Sequence, residues 1–321
     1  MNKFSESNGF IYTYAYTSDE KALCKLEMRA LFGKDTDEKL VKSPRDVDPS
    51  RSPFIKERIE ILFEGDQIAD ILSQMPAVQL SGKTFKVIFV KINSLPEADQ
   101  VEYWQKREIE SQLGRLITGK ADVRQPDRTF GIVSFQGRWY FGNYKQSESV
   151  WFRHQKKPNG YSTALSTKVA RAVANIAAPN IAGIKMIDPC CGIGTVLVEG
   201  LSMGMDIVGR DINPLVVNGS RENIAHFQLK GNVDLGPISE VKELYDVAVI
   251  DMPYNLYTSA TPEEQFSILK HANSFTEKLI VVTLDNLDSM VERAGFIITD
   301  RCIAKKAGFS REILVCKKER A

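Results

Sequence analysis

The hydrophobic and polar positions of the chain follow different patterns in its two halves. In the first half, FIYTYAYT from Phe10 to Thr17 alternates and predicts a strand. Thr17 and Glu20 have the spacing of a capping box, which predicts a helix through Leu31 that Gly33 ends. Further apolar runs predict strands at 59–63, 85–92, 130–135 and 139–144, and helices at 66–75 and 97–117. This mixture is typical of an α+β domain.

The second half alternates short apolar runs with helical segments. The runs predict strands at 185–187, 207–209, 247–250 and 279–284, and residues 216–227 predict a helix between two of them. Strands that alternate with helices indicate βαβ units and a parallel sheet. Two last runs, 296–303 and 312–316, predict a C-terminal hairpin. We therefore predict an α+β domain over residues 1–147 and an α/β, Rossmann-like domain over residues 148–321.

Composition limits the class of protein more than its partners. The 321 residues carry a net charge of +1, and 43% of them are hydrophobic, which is ordinary for a globular protein. The sequence lacks an apolar run of membrane-spanning length and a signal-peptide core, so we expect a cytoplasmic protein without a membrane partner. Five cysteines without a CxxC pair, and only three histidines, disfavour a disulfide framework and a metal site. Two locally basic stretches, 149–187 and 301–321, fit either phosphate contacts or a solvated surface.

The stretch KMIDPCCGIGT joins a predicted strand to a helix that begins near Thr195. Gly192 and Gly194 let the backbone approach a ligand, and the helix N-terminus offers unpaired N–H groups. Asp211 ends the next strand, where a carboxylate can accept hydrogen bonds from both ribose hydroxyls. A nicotinamide site is disfavoured because Leu197 replaces the third glycine of a dinucleotide fingerprint. We predict that S-adenosyl-L-methionine is bound by Asp188, Pro189, Cys190, Gly192, Gly194, Thr195, Asp211 and Ile212.

A second motif, Asp251-Met252-Pro253-Tyr254, follows the strand predicted at 247–250, at the sheet edge where ligands bind. The exocyclic amine of a base is a weak nucleophile because its lone pair is delocalised into the ring. The Asp251 carboxylate and the Met252 carbonyl can each accept one N–H and turn that lone pair towards a methyl donor. Tyr254 would stack on the base and Pro253 would stiffen the turn. Alone the motif also fits an ordinary turn, but its place after the cofactor motif predicts these four residues as catalytic.

Together, DPCCGIGTVLVEG, GRDINP and DMPYN resemble the amino-methyltransferases whose fourth motif reads (D/N/S)PP(Y/F). Within them, the chain is most similar to the THUMP-containing tRNA guanosine N2-methyltransferases. Residues 156–177 resemble the segment that packs beside the cofactor in that family, and residues 113–144 resemble the last part of a THUMP domain. The resemblance implies an enzyme that forms N2-methylguanosine in tRNA. It also implies that the first domain binds the RNA, with basic candidates Lys106, Arg107, Arg115, Lys120, Arg124 and Arg128.

The sequence departs from the family pattern at three points. Met252 replaces the first proline of the motif, which keeps the carbonyl and is expected to loosen the turn. Asn255 stands where the tRNA enzymes usually have glycine. Gly236 and Pro237 replace the glycine–acid pair of the third motif, so the acid near the adenine is either missing or displaced to Asp234. We include Asp234 among the cofactor-binding candidates.

Two other functions stay open. An N6-adenine methyltransferase acting on RNA or DNA would use the same catalytic motif. The extra domain precedes the motif and little sequence follows it, which favours RNA. A non-catalytic RNA-binding protein with a degenerate methyltransferase fold would account for Met252 and Pro237. Retention of the motif residues in their usual order argues against that alternative.

Overall fold

The computed structural model describes residues 8–35, 37–92, 101–160, 164–253, 260–306 and 309–319. The chain divides into two compact units, of which the first comprises residues 1–15, 36–50 and 54–148. The second comprises residues 16–35, 51–53 and 149–321. The chain therefore passes from one unit to the other several times, and part of the predicted first domain lies in the second unit. No helix in the described ranges is long and apolar enough to cross a membrane.

The first unit has the predicted α+β architecture. Its mixed sheet has the strand order β2-β1-β3-β7-β6-β4-β5, with β4 parallel to both β5 and β6. The strands are β1 (Phe10–Tyr14), β2 (Leu40–Ser43), β3 (Ile55–Gly65), β4 (Gln79–Phe89), β5 (Thr118–Ala121), β6 (Arg128–Phe135) and β7 (Arg138–Gln146). Helix α1 (Lys21–Phe32), between β1 and β2, belongs to the second unit, whereas α2 (Ile68–Gln74) and α3 (Tyr103–Leu116) belong to the first. The assignment of this unit as a THUMP domain stays a prediction.

The capping box and the terminal glycine that the sequence predicts around helix α1 are both present. Thr17 and Glu20 form the capping box of a short 3-10 turn, Ser18–Glu20, that leads into α1, and the Thr17 N–H donates to Glu20 Oε2 at 3.1 Å. Gly33 ends the helix in the left-handed conformation, at φ +74°, where a residue without Cβ is favoured. The Arg29 guanidinium donates two hydrogen bonds of 2.9 Å to Asp300. These bonds join α1 to a strand near the C-terminal end of the second unit, over residues 296–306.

The second unit contains the predicted Rossmann-like sheet, and the α/β fold with a C-terminal hairpin is confirmed. Its strand order is β10-β9-β8-β11-β12-β14-β13, and all neighbours are parallel except those of β14. The strands are β8 (Lys185–Asp188), β9 (Asp206–Asp211), β10 (Val233–Leu235), β11 (Tyr245–Asp251), β12 (Thr276–Thr283), β13 (Phe296–Lys306) and β14 (Phe309–Lys318). The helices are α4 (Thr167–Ala177), α5 (Thr195–Ser202), α6 (Pro214–His226), α7 (Pro262–Phe275) and α8 (Asp288–Arg293).

A buried polar network explains why residues from the first half pack in the second unit. Asn175 on α4 donates to Glu27 on α1 at 2.8 Å and to the Arg51 carbonyl at 2.9 Å. Arg171 donates to the same Arg51 carbonyl at 2.8 Å and to Glu199 on α5 at 2.7 Å. Asn175, Glu27 and Glu199 are fully buried. Because an unsatisfied buried polar group costs about 1–3 kcal/mol, α4 needs Glu27 and Arg51 for its stability.

Candidate functional site

A cavity of about 680 Å³ opens at the carboxyl ends of β8, β9 and β11 in the second unit. This is the edge at which open parallel sheets bind ligands. The sequence motifs that are far apart along the chain meet here because β8 lies between β9 and β11. The predicted residues that line the cavity are Asp188, Pro189, Cys190, Gly192, Thr195, Asp211, Ile212, Asp251, Met252 and Pro253.

Two predicted site residues, Gly194 and Asp234, do not line the cavity, and a third lies outside the described residues. Gly194 is not a lining residue and has a φ of +73°. A Cβ there would collide with the Ser220 hydroxyl, so this glycine allows the loop to pack closely against α6. Asp234 lies on β10 with an exposed side chain, 3.9 Å from Arg210 Nη2, and is not a lining residue. Its role as the displaced third-motif acid stays a prediction. Tyr254 lies outside the described residues.

The predicted cofactor loop is held in shape by the carboxylate of Asp211, at the end of β9. Asp211 Oδ2 accepts the Gly192 N–H at 2.9 Å, and Oδ1 accepts the Asn213 N–H at 2.9 Å. Gly192 has φ +51° and nothing within 4 Å of the position of a Cβ, so bare backbone faces the cavity. Each Asp211 oxygen retains a second lone pair for a ligand hydroxyl. The loop is therefore ordered by contacts that leave acceptor capacity towards the cavity.

Leu197 shows why this loop works without a third glycine. Its side chain is fully buried on α5 and occupies the place where a Cβ on Gly209 would stand. In a dinucleotide fingerprint a glycine on the helix permits close packing of helix and strand. Here the glycine is on the strand, β9, and the large residue is on the helix. The exchange supports the sequence argument against a nicotinamide site.

The cavity is acidic. Burial raises the pKa of Asp188 well above its usual value, and the nearby Asp251 and Asp211 raise it further. Burial likewise raises the pKa of the Cys190 thiol, so this residue is not an activated nucleophile. The described lining residues include Asp188, Asp211, Asp251 and Glu264 but neither lysine nor arginine. Such a wall suits a ligand that carries positive charge, as S-adenosylmethionine does at its sulfonium and amino groups.

Asp251 has an unsatisfied acceptor. Its Oδ1 is buried and has no hydrogen-bond partner among the described residues. Burial raises the pKa of Asp251 to about 7, while the positive charge of Arg311 lowers it. A buried polar atom without a partner is rare in folded proteins and often marks a functional position. This atom fits a ligand group that donates an N–H or O–H.

The backbone of Met252 is hydrogen-bonded to the neighbouring strand β12. Its N–H donates to the Val282 carbonyl at 2.8 Å, which extends the pairing of β11 with β12. The residue is only 2% exposed and belongs to the buried cluster that includes Leu269 of α7. Proline, which lacks an N–H, could not make this hydrogen bond. The strand pairing therefore continues one residue beyond Asp251, and the loosening of the turn that follows stays a prediction.

Several lining residues were not predicted from the sequence. Ala164 and Leu165 before α4 fall within the segment 156–177 that the resemblance places beside the cofactor, whereas Pro237 and Ile238 after β10 and Glu264, Ser267 and Ile268 on α7 were not indicated as site residues. The last three have the i, i+3, i+4 spacing of one helix face, and Thr261 with Glu264 forms a capping box at the start of α7. That capping box is the sequence pattern from which the start of α7 could have been predicted. Lys157 is a further neighbour: it donates to Thr195 Oγ1 at 2.7 Å, and burial lowers its pKa.

The chain is similar to several known proteins. Residues 154–271 match the family described as UPF0020, RMKL-like, methyltransferase domain. A tRNA (guanine(10)-N2)-dimethyltransferase of Methanothermobacter thermautotrophicus is 33% identical over 205 residues, which are 60% of this chain and 56% of the relative. An enzyme of the same name from Pyrococcus abyssi is 25% identical over 228 residues, or 66% of each chain. TrmN from Thermus thermophilus has a TM-score of 0.47 at 16% identity, covering 96% of this chain and 99% of TrmN.

The chain thus spans little more than half the length of the first relative and about two thirds of the second. The family match confirms a methyltransferase domain over residues 154–271, the class for which S-adenosylmethionine is the predicted methyl donor. The residues at the cavity fit that donor: Gly192 offers bare backbone, Asp211 offers acceptors for the ribose, and the wall is acidic. The resemblance to the guanosine N2-methyltransferases is confirmed by the relatives.

Proposed function

We propose, from the UPF0020 methyltransferase domain that residues 154–271 form, that this chain methylates the N2 amine of guanine in tRNA. The observation that carries the proposal is the buried, unpartnered Asp251 Oδ1 at the end of β11, beside the cofactor loop. It is an acceptor in the place where an exocyclic amine would meet the methyl donor. The names of the Methanothermobacter and Pyrococcus relatives support guanine N2 over adenine N6.

In the proposed reaction, bound S-adenosylmethionine supplies an electrophilic methyl group. Asp251 and the Met252 carbonyl accept the two N–H groups of the amine and orient its lone pair. The nitrogen would then take the methyl group, and the sulfur would keep the electron pair of the broken carbon–sulfur bond. The proton that the nitrogen then loses passes to the Asp251 carboxylate. Orientation supplies most of the rate enhancement because the leaving group becomes neutral.

We propose that the first unit supplies RNA affinity. Arg115, Lys120 and Arg124 are exposed there, next to the α3–β5 region. Acidic neighbours such as Asp122 reduce the local positive charge, so recognition of RNA shape complements phosphate contacts. The five free cysteines support a reducing compartment, and we propose the cytoplasm.

The test of activity uses the full chain with isotopically labelled S-adenosylmethionine and total tRNA, followed by digestion and mass spectrometry of the nucleosides. We expect labelled N2-methylguanosine or its dimethyl form. Labelled N6-methyladenosine would contradict the proposal and support an N6-adenine methyltransferase instead. S-adenosylmethionine binding without any labelled nucleoside, in tRNA or in other RNA and DNA, would support the non-catalytic alternative.

The test of RNA affinity also uses the full chain, because α1 and residues 51–53 belong to the second unit. Replacing Arg115, Lys120 and Arg124 together by alanine should weaken tRNA binding roughly tenfold at 0.15 M salt and reduce the salt dependence of binding. Affinity for S-adenosylmethionine should stay unchanged. Unaltered tRNA affinity would remove this surface from the proposal.

A further inference from the structure

The C-terminal hairpin returns to the edge of the sheet that holds the cavity. Strand β14 runs antiparallel to β12, so the beginning of β14 lies at the same edge as the end of β11. Asp251 pairs with Val282 of β12, and Val282 pairs with Ile313 of β14. Arg311 precedes Ile313 by two residues, further towards that edge. The hairpin therefore delivers an arginine to the catalytic end of the sheet.

Strand register also fixes the face on which this arginine lies. Side chains of directly paired residues lie on the same face of a sheet, and alternate residues of a strand share a face. Asp251, Val282 and Ile313 thus share one face, and Arg311 shares it with Ile313. The opposite face carries Ile250, Met252, Val281 and Leu314, which pack in the core cluster with α7 and α8. Arg311 and Asp251 accordingly project to the same side, two strands apart.

Electrostatic attraction links the two residues. The charge of Arg311 lowers the pKa of Asp251, and the charge of Asp251 raises that of Arg311 against the effect of burial. The other titratable groups among the described lining residues are Asp188, Cys190 and Cys191 at and after the end of β8, Asp211 at the end of β9 and Glu264 on α7. All of these are acidic. Arg311 therefore acts on Asp251 with the opposite sign to the groups of the cavity wall.

We propose that Arg311 is a positioning residue that keeps Asp251 in its carboxylate form, ready to accept an N–H of the target amine. The inference rests on the proposed function. A protonated Asp251 would present an O–H donor to an amine that itself donates, and the lone pair would not be oriented. Desolvation favours this protonated form, and the guanidinium of Arg311 opposes it. The C-terminal hairpin then completes the catalytic edge as well as the sheet.

Three variants separate charge from structure. Arg311→Gln removes the charge and Arg311→Lys keeps it. Arg301→Gln is the matched control, since Arg301 lies on the same hairpin but pairs with Leu314 on the opposite face and bridges Asp288 and Glu312. Single-turnover methyl transfer to tRNA is measured from pH 5.5 to 9.5 for each protein. In parallel, carbon-13 NMR of labelled aspartate carboxyls follows Asp251, assigned by its loss in Asp251→Asn.

For Arg311→Gln we expect the acid limb of the rate profile to move up by roughly one pH unit, with the rate largely recovered by pH 9. The NMR titration of Asp251 should move by the same amount. Arg311→Lys and Arg301→Gln should titrate like the wild type. An unmoved NMR titration in Arg311→Gln, or a rate loss equal at every pH, would overturn the inference. If the wild type methylates no tRNA, the proposed function fails, while the NMR titration still decides whether Arg311 governs Asp251.

Discussion

The predicted cofactor loop and Asp251, the proposed catalytic residue, line the same cavity but differ in how their polar groups are satisfied. Asp211 is bonded on both oxygens to backbone N–H groups, and Asp188 accepts the Cys190 N–H. Asp251, two strands away from Asp211, leaves Oδ1 buried without a partner in the described residues. The first region is ordered by the protein itself, whereas the second is left to be completed by a ligand.

This difference separates two requirements of a transferase. A region that binds a cofactor gains affinity from being ordered in advance, because little conformational entropy is lost on binding. A group that orients a nucleophile must keep its acceptor capacity for the substrate, at a cost in stability. We therefore expect substitutions in the two regions to affect different measured quantities.

The largest effect is expected for Asp251→Asn, which keeps the shape of the side chain and removes one acceptor. Methyl transfer should fall on the order of 10²-fold or more, by analogy with other pre-organised hydrogen bonds. Affinity for S-adenosylmethionine, measured by calorimetry, should change less than about threefold. Asp246→Asn, at the opposite end of β11, is the control. Near-normal turnover in Asp251→Asn would exclude the proposed mechanism.

Asp211→Ala should instead act on cofactor affinity. The side chain holds Gly192 and has acceptor capacity for two ribose hydroxyls, and hydrogen bonds to charged groups contribute about 1.5–3 kcal/mol each. We expect S-adenosylmethionine to bind on the order of 10- to 100-fold more weakly in calorimetry. Asp206→Ala, at the amino end of the same strand, should bind normally. Equal affinity in all three proteins would remove Asp211 from the cofactor site.

Stability should move in the opposite direction to activity in Asp251→Asn. Burial raises the folded-state pKa of Asp251 to about 7, above its unfolded value of 3.8, so the folded state loses stability as pH rises between these values. At pH 8 the variant should be more stable than the wild type by about 1–3 kcal/mol, and the gain should shrink towards pH 4. Thermal unfolding at the two pH values measures this. If the variant is less stable than the wild type at pH 8, burial of the Asp251 carboxylate does not destabilise the folded state.

The smallest effect is expected for Asp234→Ala. Its side chain is exposed and 3.9 Å from Arg210, outside the lining of the cavity. Exposed ion pairs contribute roughly 0–1 kcal/mol, so cofactor affinity should change less than about twofold. A tenfold loss would instead identify Asp234 as the displaced third-motif acid. The same calorimetric titration used for Asp211→Ala decides the matter.

The sequence predicted the features that depend on neighbours along the chain. The strand, glycine turn and helix around Gly192, the acid at Asp211 and the capping box at Thr17 ahead of α1 are all local patterns, and the structure has each of them. The meeting of the motifs at one cavity was also predictable, because parallel strands present their carboxyl ends at one edge.

Features that depend on pairing between distant segments were not predicted. The position of Arg311 follows from the register of β14 on β12, which no local pattern specifies. The hydrogen bond of Met252 depends likewise on Val282. The complementarity of Leu197 and Gly209 joins a helix to a neighbouring strand, and each residue alone is unremarkable in sequence. The place of α1 in the second unit depends on partners in α4 that lie more than a hundred residues away.

The ion pair of Arg29 with Asp300 has a consequence for synthesis of the protein. The two residues are 271 positions apart in one folding unit. A ribosome that adds roughly 5–20 residues per second needs about 14–54 seconds to join them. In that interval α1 is made first, α4 follows about halfway through and β13 comes last, so the apolar face of α1 waits for surfaces that are still to be translated. Completion of the second unit therefore waits for β13 and β14, and the nascent chain is open to chaperones until these strands emerge.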